Sequence, residues 1–299
     1  MTGWIPQVTD DGSFTFFSEE FGEAFHSRQG AHAEAVAKFA QATGLPEKAR
    51  FWGKGTRDLQ PLCILDICYG LGYNTAAALE TIWAVNPSCE VSVYGLELDI
   101  SVPRSAVRSQ LLRDWSPPVQ QVLQGLAETS SYHTPHLTAQ LLIGDARQTI
   151  QTLAQESIQA DAIFLDPFSP RRCPQLWTVE FLQVVARCLA PAGKLSTYSR
   201  SAAVRSALLA AGLQVGTLPL GKRHLPHEWA QGTIAAWNTT DLPPLSVLEQ
   251  EHLHTRAAIP YRDPNLSDPA TVILQRHQEE QQRSSLESTS SWRRRWQII

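Results

Sequence analysis

The chain is short of several features that would classify it at once. Only 18% of its 299 residues are charged, and it has five cysteines: Cys63, Cys68, Cys89, Cys173 and Cys188. Their number is odd and no two have CxxC spacing, so they are expected as buried thiols in a reducing compartment. The pairs His224/His227 and His252/His254 lack a cysteine or HExxH context, and no metal is expected. No apolar run approaches the ~18 residues of a membrane span. The opening "MTGWIPQVTDDGS" has neither a basic n-region nor an apolar h-region, so the expected location is cytoplasmic. GxGxxG and GxxxxGK[ST] are missing too, which argues against dinucleotide and nucleoside triphosphate binding. There are no internal repeats.

What remains is an ordinary globular composition, 43% apolar, enough for a sizeable core. The net charge of −4 is unevenly spread. Residues 1–159 hold 10 basic and 17 acidic side chains, residues 160–240 hold 8 and 4, and residues 241–299 hold 7 and 8. The middle stretch is therefore the place for an anionic partner.

Short aromatic segments around "DDG" in residues 1–28 predict a hairpin, and "GAHAEAVAKFAQAT" predicts a helix closed by Gly44 and Pro46. "LCILDI" (62–67) then opens an alternation. Further strands are expected over 90–98, 139–145, 160–166 and 194–199, and near 213–218 and 232–237. Helices are expected over 74–85, 102–113, 117–127, 146–155, 176–189 and 201–211. Such an alternation implies an α/β, doubly wound, Rossmann-like fold with a mostly parallel seven-stranded sheet. The last two strands lack a helix between them and are expected as an antiparallel pair at one edge. The chain thus divides into an N-terminal extension (1–58), a central domain (59–240) and a C-terminal extension (241–299). The polar, low-complexity stretch 278–299 is expected to be poorly ordered.

Ligands of doubly wound folds sit at the carboxyl ends of the strands. The first strand ends "DICYGLGYNT", where Asp66 is followed by Gly70 and Gly72 and by Asn74, a favoured helix cap. The second ends at Glu97, 31 residues after Asp66, where an acid usually meets ribose hydroxyls. Asp99 beside it is a candidate for the same role or for a helix cap. Asp145, before Ala146, ends the third strand and either faces an adenine amino group or caps the next helix. Asp166 ends the fourth. A glycine turn and three strand-terminal acids in this order form the layout of class I methyltransferases, and S-adenosylmethionine, a zwitterion without phosphate, suits an acid-lined pocket.

"FLDPFSPRRCPQLWT" resembles the D-G-F-A-P-x-x-N-P-x-M-W-T segment of the methyltransferase part of the MnmC family of tRNA wobble-uridine enzymes. Asp166, Phe168, Pro170, Pro174, Trp177 and Thr178 match it, while Pro167 replaces glycine and Cys173 replaces asparagine. "DICYGLGYNT" is similar to the family's E-x-G-F-G-T-G-L-N, "FFSEEFGEAFHS" (16–27) to its N-terminal segment, and "LGKRHLPHEW" (220–229) to its G-x-G-R-K-R-E segment. The resemblance spans roughly residues 14–238. It implies methylation of the exocyclic amine of 5-aminomethyl-2-thiouridine in tRNA. Without GxGxxG it implies neither FAD nor oxidase activity.

On this reading Asp66, Gly70, Gly72, Glu97, Asp145 and Ala146 bind the cofactor. Asp166 orients the amine and helps to accept its proton, in a position stiffened by the prolines after it. Phe168 either stacks on the base or packs in the core. Arg171, Arg172, Lys222 and Arg223 anchor phosphates or form a solvated surface. Trp177 is expected in the core, and "WRRRW" (292–296) in a solvated tail. Three alternatives stay open. "DPFSP" partly matches the D-P-P-Y/F of DNA amino-methyltransferases, polyamine synthases share the fold and an aspartate here, and an inactive protein of this fold would bind RNA without transferring methyl.

Overall fold

A computed structural model describes residues 4–54, 60–220 and 230–298. The N-terminal segment folds into β1 (Pro6–Val8), β2 (Phe14–Ser18) and β3 (Glu23–Ala24), a small antiparallel sheet in that order. Gly12, at φ 83°, makes the "DDG" turn. Helix α1 (Ala31–Glu34) runs on in π-helical form over Ala35–Gln41, and α2 (Leu45–Phe51) starts after Gly44.

The alternation then appears in full: β4 (Leu62–Ile67), α3 (Tyr73–Val85), β5 (Val91–Glu97), α4 (Ser101–Arg108), α5 (Pro117–Thr129), β6 (Ser131–Thr134), β7 (Leu137–Ile143), α6 (Ala146–Gln155), β8 (Ala160–Leu165), α7 (Val179–Arg187), β9 (Leu189–Thr197), α8 (Ala202–Ala210), β10 (Gln214–Leu218) and β11 (Gly232–Ala236). The strands lie in the order β10-β11-β9-β8-β4-β5-β7-β6. β4, β5, β7, β8 and β9 are parallel, whereas β10 and β11 pair antiparallel to each other, as the sequence pattern leads one to expect. β6 adds an eighth strand to the seven expected, pairing Ser131 to Thr134 with Gln140 to Leu137. Its sequence "SYHT" is short and polar and carries no strand signal of its own. The helix expected over 176–189 is split, a 3₁₀ turn at Pro174–Trp177 followed by α7.

Side chains alternate across the sheet with period 2. Ile64, Val91, Val93, Ala162 and Phe164 pack with α3 on one face, and Leu65, Ile67, Leu96, Ile163 and Leu165 with α6, α7 and α8 on the other. Parity then assigns Asp66, Glu97 and Asp166 to the α3 face.

The C-terminal extension forms α9 (Val247–His252), α10 (Ala270–Arg283) and α11 (Thr289–Arg295). A buried ion pair, Arg205 to Glu249 at 2.7 Å, ties α9 to α8. The expectation of a poorly ordered 278–299 is corrected here. Trp292 is fully buried and stacks on His252 at 4.3 Å, while Arg295 bridges Glu251 and Glu287. One aromatic anchor outweighs a polar composition. Among the described residues no helix is long and apolar enough to cross a membrane.

Candidate active site

β4 has β5 on one side and β8 on the other, so the crossovers from its two flanks diverge there and leave a crevice beyond the strand ends. Asp66 lies at its floor, fully buried, with Thr75 Oγ1 of α3 donating to Oδ2 at 2.7 Å. Its other oxygen has no hydrogen-bond partner among the described residues. Burial, despite the Thr75 bonds, pushes this carboxyl up to about 7.

The turn after β4 passes through three left-handed residues, Cys68 (φ 67°), Gly70 (φ 55°) and Gly72 (φ 86°). A Cβ on Gly72 would lie 2.6 Å from Tyr69 Oη, so the position accepts only glycine. Gly70 N donates to Glu97 Oε2 at 2.7 Å and Asp99 N to Glu97 Oε1 at 2.9 Å. Glu97 thereby joins the glycine turn to the end of β5. Burial outweighs these bonds and pushes its carboxyl up to about 7. Asp99 instead holds the entry to α4, accepting from Ser101 N at 2.8 Å.

Asp145 caps α6. It accepts from Arg147 N at 2.9 Å and from the Arg147 guanidinium, Nη2 to Oδ2, at 2.6 Å. Burial raises its carboxyl, but the Arg147 bonds outweigh that and hold it below the usual range. Ala146, buried, opens the helix behind it.

Asp166 follows β8, anchored by its N–H to Ile67 O at 3.2 Å. Asn74 Nδ2 donates to its Oδ2 at 2.8 Å. The expected cap at Asn74 is therefore corrected: Gly72 is the N-cap of α3, and the Asn74 side chain turns to Asp166 instead. Burial and then the Glu34 carboxylate push Asp166 well above its ordinary value, while Asn74 works the other way. The exit loop is fixed from three sides. Tyr198 Oη donates to Pro167 O at 2.8 Å, Trp177 Nε1 to Phe168 O at 2.8 Å, and Ser169 N and Oγ donate to Glu23 at 2.9 and 2.5 Å.

Phe168 is half-buried, with one face stacked on Phe21 at 4.4 Å and Phe25 edge-on at 5.0 Å. The turn between β2 and β3 thus occupies that ring face. Trp177 is fully buried, as expected. Arg171 and Arg172 are exposed and form no ion pair among the described residues. Lys222 and Arg223 lie outside the described residues. Sequence reasoning missed Glu34 and Lys38, an ion pair whose charges act on Asp166, and the bond from Asn74. The similarity of residues 16–27 to the family's N-terminal segment pointed to Phe21, Glu23 and Phe25, but nothing in it pointed to Glu34 or Lys38.

The donor set suits S-adenosylmethionine. Asp66 offers a buried acceptor without a partner, the glycine turn presents backbone rather than side chains, and Glu97 retains lone pairs for hydroxyl donors.

Comparison with known proteins agrees. Residues 106–225 match a family described as S-adenosyl-L-methionine-dependent methyltransferase. The crystal structure of MnmC2 from Aquifex aeolicus superposes with a TM-score of 0.78 at 31% identity, covering 95% of this chain and 87% of that one. The tRNA 5-methylaminomethyl-2-thiouridine biosynthesis bifunctional protein MnmC of Aromatoleum aromaticum is 33% identical over 234 residues, 73% of this chain and 34% of its own length. An uncharacterised protein of Methanocaldococcus jannaschii is 28% identical over 284 residues, 92% of this chain and 72% of its own. The chain spans about a third of the bifunctional relatives' length.

Proposed function

Because the chain belongs to the MnmC2 family of S-adenosyl-L-methionine-dependent methyltransferases, we propose that it methylates the 5-aminomethyl group of the wobble (2-thio)uridine of tRNA. The product is 5-methylaminomethyl-(2-thio)uridine. The observation that carries this reading is Asp166 itself: a carboxylate at the switch point, hydrogen-bonded by the neutral Asn74 amide and raised well above its ordinary value by burial and by Glu34. A carboxylate so raised is a better proton acceptor than a solvated one, which suits it to hold a neutral amine and take the proton released on transfer.

Bound S-adenosylmethionine supplies an electrophilic methyl group. Asp66, Gly70, Gly72 and Glu97 are the residues that hold it, and Asp145 and Ala146 border it at the start of α6, where the pairing of Asp145 with Arg147 fixes that wall. Asp166 accepts an N–H of the substrate amine and takes the proton that leaves it. The fixed exit loop keeps that carboxylate in one place, which is the requirement for a near-attack geometry. Phe168, packed on Phe21 and Phe25, shapes the wall beside the amine. Arg171 and Arg172, exposed beyond it, anchor tRNA phosphates together with Lys222 and Arg223.

The test is transfer of labelled methyl groups to bulk tRNA, DNA and putrescine in one assay, with nucleoside analysis of tRNA from cells lacking the chain. The expected result is label in tRNA alone, loss of the methylaminomethyl nucleoside and accumulation of its aminomethyl precursor. Label in DNA or putrescine, or an unchanged nucleoside profile, overturns the proposal.

A further inference from the structure

We infer that Asn74 is a second acceptor for the substrate's primary amine, so that Asn74 and Asp166 together aim its lone pair and select a primary amine over an already methylated one. The inference rests on the methyltransferase reading above. A neutral primary amine has two N–H donors and one lone pair. The lone pair points in a single direction only when both N–H groups are held elsewhere.

Asp166 supplies one acceptor. The next main-chain acceptor, Pro167 O, is already engaged by Tyr198 Oη at 2.8 Å. Asn74 lies on the first turn of α3, directly after the glycine turn, and is 3% exposed. Its Nδ2 donates to Asp166 Oδ2. Its Oδ1 is then an acceptor, buried and without a partner among the described residues. A buried unsatisfied oxygen is costly and uncommon in native proteins, and a visiting N–H donor satisfies it.

In the transfer the amine lone pair forms the new C–N bond while the S–C electron pair goes to sulfur. The proton released from nitrogen passes to the Asp166 carboxylate. The product amine keeps one N–H, so only one of the two acceptors remains filled, and the geometry that favours a first transfer no longer favours a second.

Other groups act on Asp166 as well: Glu34 and Lys38 from the N-terminal helix, Asp66 from β4, Cys68 after it and Tyr198 after β9. Asn74 lowers the Asp166 carboxyl against burial, so replacing its donor moves the acid limb of the rate profile to higher pH.

The test uses the full chain as Asn74→Ala and as the isosteric Asn74→Asp. The RNA probes are anticodon stem-loops carrying 5-aminomethyl- or 5-methylaminomethyluridine, with S-adenosylhomocysteine present. At alkaline pH, where both amines are neutral, calorimetry should show wild-type protein binding the primary-amine RNA about 5-fold or more tighter, the scale of one lost hydrogen bond, and Asn74→Ala binding both alike. Single-turnover transfer should fall by roughly 10²-fold in Asn74→Ala. In Asn74→Asp, which keeps the shape if Ala does not fold, the acid limb should move up by about one pH unit or more. Equal affinity of the wild type for both RNAs overturns the inference, as does a wild-type preference and pH profile in Asn74→Asp. Asp166→Asn separates the two readings. A wild-type rate in that variant removes the catalytic reading itself, whereas a slow Asp166→Asn beside normal Asn74 variants removes only the role of Asn74.

Discussion

The strand ends of β4, β5 and β8 and the strand end of β7 both carry acids, but they treat them differently. At the first, Asp66, Glu97 and Asp166 are hydrogen-bonded by a hydroxyl, by backbone N–H groups and by an amide. At the second, Asp145 meets the Arg147 guanidinium at 2.6 Å, and Arg147 reaches on to Asp263 at 2.8 Å and to Asp268 O at 2.9 Å. Burial therefore pushes Asp66 and Glu97 up to about 7, whereas Asp145 is held below its usual range. Acids with neutral partners are receptive to a ligand's donors or positive charge. An acid already paired with arginine is part of the framework, here one that fastens the C-terminal extension to α6.

The largest expected effect lies on the paired side. Arg147→Met leaves Asp263, fully buried, without its cation, and should cost about 3–5 kcal/mol of stability in denaturant unfolding. A loss under about 1 kcal/mol would make Arg147 a surface residue in energetic terms.

On the receptive side, Asp166→Asn keeps shape but removes charge. Methyl transfer to purified tRNA should fall by roughly 10²-fold or more, partly relieved at high pH where more amine is neutral, with folding and tRNA binding nearly unchanged. A near-normal rate at neutral pH would place Asp166 with the framework acids.

Glu97→Ala should weaken S-adenosylmethionine binding by about 1–2 kcal/mol, because ribose hydroxyls lose a charged acceptor. Wild-type affinity in the folded variant, measured by calorimetry, would sink that assignment.

The gentlest test is a slope. Asp66 and Glu97 have folded values near 7 and ordinary values near 4. Their contribution to stability is thus fully present below about pH 4 and is lost as pH rises to about 7, by at most about 1.4 kcal/mol per unit for each group. Asp145, lowered, has the opposite sign: its contribution is present above its ordinary value and lost as pH falls. Thermal melts of the ligand-free protein between pH 5 and 7 should therefore flatten in the double variant Asp66→Asn/Glu97→Gln. An unchanged slope would show that these acids are ionised throughout.

Much of this was legible in the residues because the relevant rules are local. Apolar runs ending in Asp66, Glu97, Asp145 and Asp166 place those acids at strand ends whatever surrounds them, and period-2 alternation assigns Asp66, Glu97 and Asp166 to one face. What was not legible depends on partners that the residue's own pattern does not name. "SYHT" becomes β6 only because β7 lies beside it. Asn74 has the signature of a cap, yet it finds Asp166, 92 residues away. The polar tail is held by Trp292 against His252, an attachment no composition measure registers.

The sequence by itself determined the order of strands and helices, the glycine turn and the acid at each strand end, since these follow from backbone preferences and hydrophobic period over a few residues. Only the tertiary structure decided which acids are receptive. That choice depends on what each carboxylate meets across the fold: Thr75, Asn74 and backbone N–H groups on one side, Arg147 on the other. The free energy of a buried charge is set by those neighbours and by its distance from water, neither of which is a property of the residue alone.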